Sequence, residues 1–165
     1  MCPRATTSWR FIHGGWPQQS APNDRGAQTY SEKPGHRFTL NADFATLREA
    51  EYDALLIPGG GRAPEYLRLN ARVVEIAAHF LTAAKPVAAG CHGAQLLAAT
   101  GLLKGRQVSS YPACRVEVEL AGATYMDIPI DAAVRDDNLI TAPSWPAQPA
   151  WLAKFLELLG TRITH

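Results

Sequence analysis

Residues 52–100, YDALLIPGGGRAPEYLRLNARVVEIAAHFLTAAKPVAAGCHGAQLLAAT, carry the architecture. Tyr52 to Ile57 is a short apolar run halted by Pro58 and three glycines, the pattern of a buried strand entering a tight loop. Asn70 is placed as an N-cap, and after it Val73, Val74, Ile76, Ala77, Phe80 and Leu81 recur at helical spacing until Lys85-Pro86 ends the helix. Val87 to Gly90 is a second short apolar strand, and Gly93 to Thr100 predicts a helix closed by Gly101. This βαβα order predicts an α/β protein with a mostly parallel sheet and helices on both faces.

Downstream, Gln107 to Ser110, Ala133 to Arg135 and Asn138 to Ala142 read as strands, the last two a hairpin across Asp136-Asp137. Trp151 to Leu159 reads as an amphipathic closing helix. Arg115 to Leu120, RVEVEL, alternates with period two as a strand does, yet Pro112 could equally open a short helix there. Upstream, residues 1–27 contain neither Val nor Leu and are crowded with Pro, Gln, Ser, Asn and Gly, so they read as irregular or disordered. The chain thus divides into an irregular segment, 1–27, and one domain, 28–165.

The whole chain has 165 residues, enough for one domain with a sizeable core. Sixteen basic against fifteen acidic residues give a net charge of +1, which leaves no electrostatic case for nucleic acid or an anionic membrane. Three cysteines, Cys2, Cys91 and Cys114, without a CxxC pair, argue against a disulfide scaffold or a zinc ribbon. The absence of a membrane-length apolar run or an N-terminal h-region makes the reduced cytoplasm the expected compartment.

Chemistry concentrates in Ala88-Ala89-Gly90-Cys91-His92-Gly93-Ala94. A cysteine between a buried strand and a helix start, flanked by Gly90 and Gly93, matches the geometry of a nucleophile elbow. The helix N-terminus offers unpaired N–H groups and a positive dipole end, which favour a thiolate, and the His92 N–H is placed to donate to an oxyanion. Gly59, Gly60 and Gly61 close the neighbouring parallel strand and should lie beside Cys91, where their N–H groups complete an oxyanion hole. Neither a dinucleotide fingerprint nor a phosphate P-loop fits this glycine run. The histidines are His13, His36, His79, His92 and His165, so a papain-like downstream His is excluded unless the terminal His165 serves, and His92 is the candidate base. His79, four residues after Glu75, reads as half of a solvated pair.

The strand and loop Leu55-Leu56-Ile57-Pro58-Gly59-Gly60, the following Arg62-Ala63-Pro64-Glu65 and the AGCHGAQLLAA elbow resemble the ThiJ/PfpI superfamily of intracellular cysteine proteases, glyoxalases and deglycases. Gln28 to His36 and Ser144-Trp145-Pro146 look like the branch holding the plant tandem-domain glyoxalases. The resemblance covers residues 28–160. It implies a class I glutamine amidotransferase-like fold, a flavodoxin-like three-layer sandwich, and makes RVEVEL a short helix. By position it implies Cys91 as nucleophile, His92 as its partner, Glu65 as a glutamate lent across a subunit interface, Gly60 or Gly61 with the His92 backbone as oxyanion donors, and Trp145 as a substrate-binding residue. It implies no cofactor, no metal, a small carbonyl or peptide substrate and a homo-oligomer.

Three departures stand out. Residues 1–27 match nothing of the family's first βαβ unit, which carries a buried glutamate and a central strand; without it, low stability and low activity are expected. The loop holds one glycine more than PGGRAPE, and Gln148 stands where this branch often has His. A true amidotransferase would need a downstream His-x-Glu, which is absent. The expected activity is cofactor-independent conversion of 2-oxoaldehydes, or amide hydrolysis, by Cys91. The alternatives are a non-enzymatic oxidation-sensing or chaperone-like protein and an inactive truncated copy.

Overall fold

The computed structural model describes residues 40–61 and 63–161. The chain divides into two units, residues 1–47 and 48–165. In the first, Asp43 organises a turn: its carboxylate accepts from the Ala45 N–H (2.9 Å) and its carbonyl from the Leu47 N–H (3.0 Å). The irregular reading of residues 1–27 lies outside the described residues.

The second unit holds a four-stranded sheet in the order β1-β2-β6-β5, with β1 Leu55–Ile57, β2 Val87–Gly90, β5 Val134–Asp136 and β6 Leu139–Ala142. β1 and β2 are parallel, Ile57 facing Ala89; β2 and β6 are parallel, Ala88 facing Ile140; β5 is antiparallel to β6. β2 and β6 are buried along their whole length, which explains why β2 reads as a continuous apolar run rather than an alternating one. Side chains alternate between faces. Ala88, Ile140 and Ala142 pack against Trp151 and Phe155 of α5 (Gln148–Leu158). On the opposite side the chain after β2 turns into α3 (Ala94–Ala99), which packs on α1 (Ala63–Leu67), α2 (Ala71–Thr82) and α4 (Arg115–Leu120). The result is the expected three-layer α/β arrangement around a mainly parallel sheet.

Asn70 caps α2 as its position predicts, its side-chain oxygen accepting from the N–H groups of Arg72 (3.0 Å) and Val73 (3.4 Å). Elsewhere the expected bounds shift for identifiable reasons. β1 starts at Leu55 because residues 49–51 form a 3-10 turn whose Glu49 carbonyl, with that of Tyr52, accepts from the Lys85 ammonium. β3 (Gln107–Val108) pairs only with β4 (Thr124–Tyr125) and stops early, because the Ser109 N–H donates to the buried Thr141 hydroxyl instead of a ladder partner. The hairpin turns at Asp137-Asn138, one residue later than read, with Asp137 at φ +53° and Asn138 bonded to the Lys85 carbonyl.

α4 resolves the ambiguity of RVEVEL in favour of a helix. Only Val118 is buried there, while Val116 and Leu120 are exposed, so the period-two alternation does not mark a buried face. The solvated Glu75–His79 pair is not found. Glu75 approaches Arg72 (3.6 Å), whereas the His79 ring lies edge-on to Phe80 with its Nε2 buried and without a hydrogen-bond partner. His79 adjoins the buried stripe of α2 at Phe80, and that placement turns it from solvent.

Candidate active site

The turn out of β2 is sharp. Gly90 is still extended (φ −112°, ψ 152°), and Cys91 then takes φ +55°, a left-handed conformation that strains a residue with a Cβ by about 1–3 kcal/mol. Cys91 to Gly93 form a 3-10 turn leading into α3. Two glycines make this turn sterically possible. A Cβ on Gly93 would meet the Ile57 side chain at 2.9 Å and its carbonyl at 3.0 Å. A Cβ on Gly59, which has φ +91°, would meet the Gly90 carbonyl at 2.4 Å and Cys91 Cβ at 3.0 Å. Gly90, expected to be required for space, has nothing nearer than 3.7 Å from a hypothetical Cβ, so Gly59 rather than Gly90 is the close-approach partner of Gly93. The glycine loop therefore lies against Cys91, as parallel pairing of β1 and β2 demands.

Cys91 Sγ sits 3.2 Å from His92 Nδ1. The His92 ring stacks on Tyr111, centroids 4.7 Å apart and planes 22° from parallel, and the Tyr111 N–H donates to the Cys91 carbonyl (3.2 Å). Tyr111 thereby fixes both the imidazole and the elbow backbone, a role that its place just before a 3-10 turn does not advertise in the sequence.

Glu65 lies half-buried in the first turn of α1. It lies near enough to act electrostatically on Cys114. Burial chiefly pushes the Cys114 thiol up, to about 12, with Glu117, Cys91 and Glu65 adding to the rise. Cys114 is therefore a neutral core thiol. Glu117, not picked out from the sequence, accepts from Arg68 Nη1 (2.5 Å) and Gln95 Nε2 (2.8 Å). Burial alone would raise its pKa, but these two bonds outweigh it, helped by the charges of Arg68 and His92, and hold it below the usual carboxylate value. This network ties α1, α3 and α4 together beside the His92 ring.

A cavity of about 170 Å³ opens at the elbow, lined by Gly60, Gly90 and Cys91 on one part and by Ser144, Trp145, Gln148 and Trp151 on another. Gly60 thus shares the cavity with Cys91; Gly61 is not among its lining residues. Trp145 is exposed (76%), whereas Trp151 is buried (4%) and its indole N–H points to the Ile140 carbonyl at 3.4 Å. Trp151 was missed because its apolar spacing marks it equally as core. Among the described residues no group of three His, Cys, Asp or Glu side chains could hold a metal ion, and no helix is long and apolar enough to cross a membrane.

The chain resembles known proteins in sequence and in fold. Residues 6–158 match the model of the DJ-1/PfpI family, so the match takes in much of the segment that the sequence reading sets outside the domain. The chain is similar to Protein DJ-1 homolog D of Arabidopsis thaliana, 49% identical over 140 residues, which are 84% of this chain and 36% of that protein. It is similar to Deglycase PfpI of Pyrococcus furiosus, 39% identical over 127 residues, 77% of this chain and 74% of that one. The chain thus spans about a third of the plant relative's length and about three quarters of the archaeal one's. Among solved structures, Schizosaccharomyces pombe DJ-1 superposes with a TM-score of 0.65 at 25% identity, covering 76% of this chain and 67% of that one. A sharp cysteine turn after a buried parallel strand, a glycine loop pressed against it and a family match over nearly the whole length lead to one conclusion: the chain belongs to the DJ-1/PfpI family.

Proposed function

We propose that the protein is a cofactor-independent cysteine enzyme that converts small reactive carbonyl compounds, in the manner of a deglycase or glyoxalase, with Cys91 as nucleophile. The observation that carries this reading is the strained Cys91 at φ +55°, lining a cavity with its sulfur 3.2 Å from His92 Nδ1. The deglycase named among the relatives supports the reaction class.

In this mechanism the Cys91 sulfur adds to the aldehyde carbon of a 2-oxoaldehyde, giving a thiohemiacetal. The backbone N–H groups of Gly60 and His92 hold the developing oxyanion. His92 then takes the proton from the former aldehyde carbon to give an enediol and returns it to the neighbouring carbon as the first oxygen loses its own, leaving a thioester of the 2-hydroxy acid. Water releases the acid and restores the thiol. The balance is one oxoaldehyde and one water to one hydroxy acid, with no external oxidant. Tyr111 keeps the imidazole in place throughout, and Glu65 of a neighbouring copy of the chain completes the His92 environment in a homo-oligomer. Amide hydrolysis would use the same first step on a peptide carbonyl.

The test is product identity. Incubation with methylglyoxal, without added thiol or cofactor, followed by proton NMR, should show the 2-hydroxy acid accumulating. Absence of that product, or hydrolysis of peptide amides in its place, overturns the reading.

A further inference from the structure

We propose that the cavity beside Cys91 receives an uncharged apolar substituent of the carbonyl substrate, an aryl ring above all, and that Trp145 determines this preference; the proposal rests on the carbonyl chemistry just assigned to Cys91. Size is the first argument. The cavity measures about 170 Å³. A cavity of roughly 150 Å³ in another protein suffices to bind benzene, so a phenyl ring fits here and a methyl group leaves most of the space unfilled. Charge is the second. Among the described residues that line it, none but Cys91 is ionisable: the polar side chains at the cavity, Ser144 and Gln148, are neutral. A carboxylate or ammonium substituent would lose water there without gaining a counter-charge.

The two tryptophans supply the third argument. Trp151 has its indole N–H directed to a backbone carbonyl, so what it offers the cavity is apolar ring surface. Trp145 leaves a large apolar ring 76% exposed at the same cavity, where a planar substituent can stack on it. Ser144 and Gln148 are left to bond the second carbonyl oxygen of the substrate.

The experiment compares kcat/KM for phenylglyoxal, methylglyoxal and 4-carboxyphenylglyoxal, subtracting the rate of Cys91→Ser protein. Phenylglyoxal should exceed methylglyoxal about tenfold, with 4-carboxyphenylglyoxal lowest. Trp145→Ala should bring the phenyl-to-methyl ratio close to one, and Trp145→Phe should keep it. A wild-type ratio at or below one, or a ratio unchanged in Trp145→Ala, overturns the proposal. If no oxoaldehyde is turned over through Cys91, the enzymatic reading itself fails. The cavity is then read by tryptophan fluorescence with two unreactive probes, benzamide and benzoate. Tighter binding of benzamide by about tenfold, weakened in Trp145→Ala, sustains the pocket's preference for neutral aryl groups. Equal binding, or tighter binding of benzoate, overturns it.

Discussion

Cys91 and Cys114 differ in exposure and in backbone setting. Cys91 is partly exposed at a cavity on a strained turn, whereas Cys114 is 1% exposed and its pKa is pushed to about 12. Iodoacetamide at pH 7 should therefore modify Cys91 at least about 100-fold faster than Cys114 in the folded protein, as followed by peptide mapping. Comparable rates would remove the distinction on which the nucleophile assignment stands. The glycines give a second prediction. Gly93→Ala places a Cβ 2.9 Å from Ile57 Cγ2, and only the backbone or β1 can yield, so the substitution should cost about 1–3 kcal/mol in urea unfolding. Gly61→Ala, with open space around its Cβ position, should cost far less. Three consecutive glycines look alike in a sequence. The structure separates them: Gly59 (φ +91°) presses on the Gly90 carbonyl, Gly60 (φ +88°) shares the left-handed backbone in open space, and Gly61 has neither constraint.

At the scale of elements, the parts legible in the sequence were those set by local rules. α2 follows from its cap and apolar spacing, β2 from an apolar run between Pro86 and the elbow, and the elbow from small residues around a cysteine. What escaped depends on partners distant in sequence. α4 is held through Glu117, bonded to Arg68 on the α1 side and Gln95 on α3, and no window around RVEVEL contains either. Tyr111 stacks on a ring 19 positions upstream, and Trp151 serves core and cavity at once. The same long-range bonds make a pH prediction. Burial opposes the charge of Asp136, but the Gln107 N–H and the Arg106 guanidinium outweigh it and lower its pKa, as Arg68 and Gln95 do for Glu117. Both carboxylates then have folded pKa values below the unfolded ones of about 4. Their stabilisation is present above about pH 4 and is lost as the pH falls through the folded values. Tm should accordingly change little between pH 8 and 5 and fall below about pH 4. Asp136→Asn should flatten that acid limb, and an unaltered limb would show that the carboxylate contributes nothing to it.

For the molecule as a whole, the sheet brings the elbow, the glycine loop and the segment 142–151 to one cavity, because β1, β2 and β6 run parallel and end on the same side. Glu65 tests whether the site is complete within one chain. If a neighbouring copy supplies it, Glu65→Gln should lower kcat about tenfold or more without changing Tm, and wild-type specific activity should fall on dilution to monomer. Full activity in a verified monomer would return the whole mechanism to a single chain. The central claim is that the Cys91 sulfur performs the chemistry, and its most direct measurement is oxoaldehyde consumption by Cys91→Ser protein beside wild type at equal folded concentration. The account predicts a loss of at least about 1,000-fold with near-UV circular dichroism preserved; turnover within a few-fold of wild type in the folded variant would contradict it.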